Sequence, residues 1–91
     1  MFQEIKDYLK ITWDDEDATI QSIIDRGQSN LNELTGAELD YFAEGQARSL
    51  FFDYCRYAYN NALEYFEENF QREILRLQLK TGADLLPEDV V

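Results

Sequence analysis

From Ile20 onward the apolar residues return every three or four positions: Ile20, Ile23, Ile24, Gly27, Leu31 and Leu34. An α-helix turns once in 3.6 residues, so this spacing draws one continuous apolar stripe along one side of a helix. It predicts a helix over 14–34 that stops at Thr35-Gly36, with Gly36 as a left-handed cap. Gly27 lies on the buried face, where a glycine costs about 1 kcal/mol of helix propensity and is usually offset by close helix approach. Upstream, Phe2, Ile5, Tyr8 and Leu9 repeat the pattern over 2–10. A helix that short is not stable alone in water, so its apolar side must dock.

The remaining chain extends the pattern. Ala47, Leu50, Phe51, Tyr54, Cys55 and Ala58 predict a third helix over 46–59, and Phe52 and Tyr57 widen its apolar face. A helix apolar over so much of its circumference belongs at the centre. Asn60-Asn61 reads as an end and a restart, or it lies inside one unbroken helix over 46–80. Leu63, Phe66, Phe70, Ile74 and Leu77 predict a fourth helix over 62–80, ended by Thr81-Gly82. Residues 37–42 have room for one extra turn, and Leu39, Tyr41 and Phe42 are placed to seal one end of the core. The expected fold is all-α, a small bundle of four main helices. At 91 residues there is room for one domain. It is placed at 1–82, followed by a short acidic tail at 83–91. That tail is either a frayed terminus or an arm docking Leu85-Leu86 or Val90-Val91 onto a neighbour.

Charge and composition narrow the function. The net charge is -11, and residues 1–44 hold most of it, with eleven Asp or Glu against three Lys or Arg. Such a surface repels phosphate backbones and anionic lipid. Apolar residues make up 45% of the chain, which argues for a packed fold rather than disorder. There is no histidine, so neither a histidine-based triad nor a histidine zinc ligand exists. Cys55 is the single cysteine and reads as a small core residue. No phosphate loop or nucleophile elbow is present. Asp14, Asp15, Glu16 and Asp17 are acids that suit the first turn of a helix, and their spacing lacks the EF-hand pattern. No enzyme activity, no cofactor and no metal are expected. Nothing resembles a signal peptide or a membrane span, and a reducing compartment fits best.

Some residues are left over. Tyr65, Leu75 and Leu79 fall off the main stripe of the fourth helix and are candidates for a subunit contact. Glu64, Glu67 and Glu68 load the front of that helix, and Arg72, Arg76 and Lys80 its back, in the sense its dipole favours. Glu68–Arg72 and Glu73–Arg76 have the spacing of favourable pairs.

One order of features is familiar. Ile5-Lys6-Asp7-Tyr8-Leu9-Lys10-Ile11 is followed by Asp14-Asp15-Glu16-Asp17, then Ile23-Ile24, then Leu34-Thr35-Gly36. A helix rich in Leu, Tyr and Arg follows over Leu50 to Asn61. This order resembles the head–tail connector proteins of tailed bacteriophages and prophages, the DNA-packaging-like group. The resemblance covers most of residues 2–61 and, more loosely, 62–79.

It implies a small helical structural protein of virion assembly, with no catalytic residues. Such subunits form a homo-oligomeric ring of about twelve copies by a repeated contact that closes on itself. The ring sits beneath the portal protein at the head–tail junction, assembled in the host cytoplasm. It extends the DNA channel, lets DNA pass without specific binding, and offers a platform to the next head–tail joining or tail protein. No membrane is involved. Under this resemblance Trp13, Arg26, Arg56, Tyr65, Arg72, Leu75, Arg76 and Leu79 are the candidate subunit interface. Asp14, Asp15, Glu16 and Asp17 are the candidate channel-facing or axial acids. A longer tail is expected if the tail alone bridged to the portal, so the acidic turn, the tail or both are candidates for axial contact. Two other classes fit the same residues: a small acidic adaptor or regulator binding one protein, and a DNA mimic.

Overall fold

The computed structural model describes residues 1–85, with side chains through residue 82. Helix α1 spans Phe2–Tyr8, α2 spans Asp17–Thr35 and α3 spans Gln46–Tyr59. A 3-10 turn at Leu63–Tyr65 leads into the short α4, Phe66–Asn69, and then α5, Gln71–Leu85. Among the described residues there is no strand, and the fold is the small all-α bundle that the periodicity predicts.

The α2 stripe makes the core. Ile20, Ile23, Ile24 and Leu31 are buried against Leu50, Phe51 and Cys55 of α3, with Ile5, Ile11, Phe66, Ile74 and Leu77 completing the cluster. α2 packs most extensively on α3 and also touches α1 and α5. The close approach expected at Gly27 is present. A Cβ there would lie 2.8 Å from Tyr54 Cδ1 and 3.0 Å from Phe51 Cε1, so the two helices meet where a side chain is missing.

The same device ends α1, α2 and α3. After each helix one residue takes the left-handed conformation: Lys10 at φ 61, Gly36 at φ 73 and Asn61 at φ 57. The next amide then reaches back to a carbonyl of the last turn. Ile11 N donates to Lys6 O at 2.9 Å, Ala37 N to Asn32 O at 3.2 Å, and Ala62 N to Tyr57 O at 2.8 Å. These are Schellman closures, which satisfy the orphan carbonyls of the last turn. Asn61 therefore breaks the helix, and the unbroken 46–80 helix is excluded.

Other expectations need correction. α2 begins at Asp17 rather than residue 14, because Asp17 N already donates to Asp14 O in the preceding turn. α1 ends at Tyr8 rather than residue 10, because Lys10 has left the helical conformation. The predicted 62–80 helix is divided: Phe70, at φ -114 and ψ 21, separates α4 from α5. An aromatic cluster sits at the break and favours it. Tyr57 of α3 stacks edge-on against Phe66 at 5.9 Å and Phe70 at 5.3 Å, and those two rings lie 5.2 Å apart. Nor does the helix stop at Thr81-Gly82. Thr81 is buried and α5 runs through both residues to Leu85, so the boundary expected at 82 falls inside a helix. The docking candidates Leu86, Val90 and Val91 lie outside the described residues.

Residues 37–42 form no helical turn. They are a loop held by side chains. Asn32 Oδ1 accepts from Leu39 N at 3.1 Å and from the Tyr41 hydroxyl at 2.7 Å, and Arg48 donates to Tyr41 O at 3.2 Å. Tyr41 is buried, as expected, but its neighbour Phe42 does not seal the core; it is 66% exposed.

Candidate functional site

The acidic turn is built into the fold rather than left to solvent. Lys6 projects from α1 with only 4% of its surface exposed, and its Nζ lies 2.9 Å from Asp14 Oδ1 and 2.8 Å from Asp17 Oδ1. The hydrogen bond to Asp17, then that to Asp14, raises the Lys6 pKa above its ordinary value. The Phe2 ring lies 5.5 Å from the same ammonium. Glu16 is held from two sides: its Oε2 accepts from Trp13 Nε1 and from the Tyr59 hydroxyl, each at 2.7 Å. Those bonds, the Trp13 one first, keep the Glu16 carboxyl below its usual pKa, and the same carboxylate raises that of Tyr59.

Of the four candidate axial acids, then, Asp14, Glu16 and Asp17 tie α1, the turn and α3 together. Asp15 is exposed and makes no ion pair or side-chain hydrogen bond among the described residues. The Lys6 ammonium stands where a cation between Asp14 and Asp17 would stand. Among the described residues no three His, Cys, Asp or Glu side chains cluster as a metal site. No helix there is long and apolar enough to cross a membrane. Cys55 is fully buried, and burial pushes its thiol pKa up to about 12.

The candidate interface residues fall into separate groups. Arg56 and Tyr65 are brought together on the rim of an open depression of about 290 Å³, shared with Tyr57, Asn60 and Asn69. Arg56 is already engaged, its Nη2 donating to Asp53 Oδ1 at 3.3 Å and its guanidinium lying 5.1 Å from the Tyr57 ring centroid. Trp13 sits at the acidic turn, anchored by its indole N–H. Arg26 is exposed on α2 and makes no ion pair among the described residues.

Arg72, Leu75, Arg76 and Leu79 form the second group. Their steps of three and one, then three, place all four along one stripe of α5. Ile74, Leu77 and Thr81 occupy the opposite, buried side. The pairs expected at Glu68–Arg72 and Glu73–Arg76 do not form; among the described residues both arginines are exposed without an ion pair. Sequence reasoning missed Phe42 as a surface residue. Its signal was the flanking pattern: Asp40 and Glu44 on both sides of a Tyr41-Phe42 pair, of which a tight loop can bury only one.

No family model, curated protein or solved structure matches the chain.

Proposed function

We propose that this chain is a structural subunit that assembles with copies of itself into a head–tail connector ring. The ring docks beneath the portal protein of a tailed phage, prolongs the DNA channel and carries the next joining protein. The observation that carries this reading is the state of the leftover apolar residues. Trp13, Tyr65, Leu75 and Leu79 are 46%, 54%, 53% and 66% exposed, although the core is closed without them. Single exposed apolar groups are ordinary, but a second stripe on α5 that faces away from the core favours a protein partner.

The fold also supplies what such a subunit requires. The turn is clamped to α1 and α3, and no buried side-chain polar atom among the described residues lacks a partner. With part of the net charge of -11 lining the lumen, phosphates would be repelled and a duplex would slide rather than stick. The work is mechanical, and no group in the proposal performs chemistry.

Mass measurement over a range of concentrations tests the reading, on the chain alone and on the chain mixed with isolated portal. The expected result is a ring of about ten or more copies in at least one arm, built by one repeated contact. Assembled rings should release duplex DNA even at low salt. A monomer in both arms, or tight DNA retention by the ring, would refute it.

A further inference from the structure

We propose that the loop around Phe42 is a knob that docks on the outer stripe of α5 in a second copy of this chain. Phe42 seats between Leu75 and Leu79 of that copy, and Arg72 and Arg76 meet Glu38 and Glu44. The proposal rests on the self-assembly reading above and names the surfaces that carry it.

The knob is presented, not merely exposed. Tyr41 is locked beneath it by its hydroxyl, which lies 2.7 Å from Asn32 Oδ1 and 3.0 Å from Gln28 O. Asp40 Oδ1 accepts from Phe42 N at 2.9 Å and from Ala43 N at 3.3 Å, closing a tight turn. With Tyr41 directed into the core, Phe42 must point out, and it is the aromatic ring with the greatest exposure, 66%. Holding a large apolar ring in water at the tip of a pinned loop lowers the ordering cost of inserting it into a partner. Around it Glu38, Asp40 and Glu44 are exposed, and Glu44, its side chain 97% exposed, meets Arg48 Nε only at 3.9 Å.

The stripe is its complement. Leu75 and Leu79 lie four residues apart, about 5–6 Å between Cβ atoms on one helix face, a spacing that a phenyl ring bridges. Arg72 and Arg76 alternate with them and lack ion pairs among the described residues, in a chain whose net charge is -11. Guanidinium groups flanking an apolar seat favour an acidic knob. The neighbouring groove, of about 540 Å³, is the weaker seat. It runs along the other side of Leu75 and is bordered by Glu67 and Glu68, which repel the same loop. Trp13 is the competing knob, but its acids Asp14, Glu16 and Asp17 are held within the protomer by hydrogen bonds of 2.7–2.9 Å, closer than the 3.9 Å between Glu44 and Arg48.

A protomer does not satisfy its own stripe. The loop residues Leu39, Asp40, Ala43 and Glu44 border Leu77 and Lys80 of α5 and not the outer face. Knob and stripe are thus different patches of one protomer. A contact between them is heterologous and repeats from copy to copy, the geometry from which rings are made.

Sedimentation equilibrium of the full chain up to about 1 mM, which detects millimolar contacts, tests this with two surface variants. The knob variant combines Phe42→Ser, Glu38→Gln and Glu44→Gln; the stripe variant combines Arg72→Glu and Arg76→Glu. Circular dichroism checks that both are folded, and Leu75→Ser with Leu79→Ser replaces the stripe variant if it is not. Each variant alone should be monomeric. Mixed, they retain one intact knob and one intact stripe, so they should form one-to-one dimers and nothing larger. Assembly of either variant like the wild type would overturn the knob-and-stripe contact while leaving the ring reading standing. So would loss of assembly in Asp15→Lys with both variants unaffected. Where the wild type assembles only on isolated portal, the same variants are compared there with the same expected outcomes; a wild-type chain that stays monomeric alone and on the portal overturns both.

Discussion

Three positions in helices or at their ends set competing terms against each other. At Gly27, alanine gains about 1 kcal/mol of helix propensity, but its Cβ would sit 2.8 Å from the Tyr54 ring. That ring is held edge-on against Phe66 at 5.3 Å and cannot step aside freely. Overpacking of this kind costs about 1–3 kcal/mol, so Gly27→Ala should destabilise by roughly 1 kcal/mol net. Gly82 is the opposite case: it is helical, exposed, and a Cβ there meets nothing within 4 Å. Gly82→Ala should therefore stabilise, by roughly 0.5 kcal/mol so near the helix end. Lys10 is a third case, a lysine at φ 61 where the Schellman closure favours glycine. The left-handed conformation costs an L-residue about 1–2 kcal/mol, so Lys10→Gly should stabilise by roughly 0.5–1 kcal/mol after the entropy of the unfolded chain is counted. Urea midpoints measured at constant m-value decide all three, and equal signs at Gly27 and Gly82 would contradict the packing argument. Gly27 was legible in the sequence because a glycine on an apolar stripe has few explanations. Lys10 was not, because nothing in a lysine announces positive φ.

Helix α1 shows how an element is kept in place by groups outside it. Seven residues do not make a stable helix in water. Ile5 anchors it in the core, Lys6 ties it to Asp14 and Asp17, and Glu4 meets Arg48 Nη2 at 2.7 Å. Lys6→Met keeps the buried stem's bulk but leaves two carboxylates facing each other across the turn. Amide exchange over Phe2–Tyr8 should then quicken while α3 stays protected, and exchange unchanged across α1 would remove the clamp from the account. The periodicity of α1 and its need to dock were readable from Phe2, Ile5 and Leu9. The clamp was not, because a run of acids before an apolar stripe looks like the first turn of a helix. Only the position of Lys6 on the buried side shows otherwise, and periodicity treats a lysine as solvated. The division at Phe70 was hidden for a related reason. Phe66, Phe70 and Ile74 keep perfect helical steps, and the Tyr57 ring that favours the break comes from another element.

At the scale of the molecule, stability is set on the alkaline side by protons that folding retains. Cys55 is pushed from 9.0 up to about 12 and Tyr41 from 10.0 up to about 12, both by burial. Burial also raises Tyr54, the Glu16 hydrogen bond raises Tyr59, and Lys6 is raised by its carboxylates. Each folded-state pKa lies above its unfolded value. The stabilisation is complete below the unfolded pKa and disappears as pH climbs through the folded one. The unfolded chain gives up the Cys55 proton first, near 9, then the tyrosine protons near 10. While only the unfolded chain is ionised there, the Cys55 thiol removes about 1.4 kcal/mol of stability per pH unit. On the acid side Glu4 and Glu16 are lowered, chiefly by Arg48 and Trp13, so their contribution holds above 4.5 and fades as pH falls through their depressed values. Urea midpoints should thus be nearly flat from about pH 6 to 8.5 and fall above about 9 with a steepening slope. The growing negative charge on a chain that already carries -11 adds to the fall. Cys55→Ala lowers the midpoint everywhere by leaving a small cavity, but it should remove the first part of the alkaline decline. An alkaline limb of the same slope between pH 9 and 10 in that variant would show that the buried thiol does not set it.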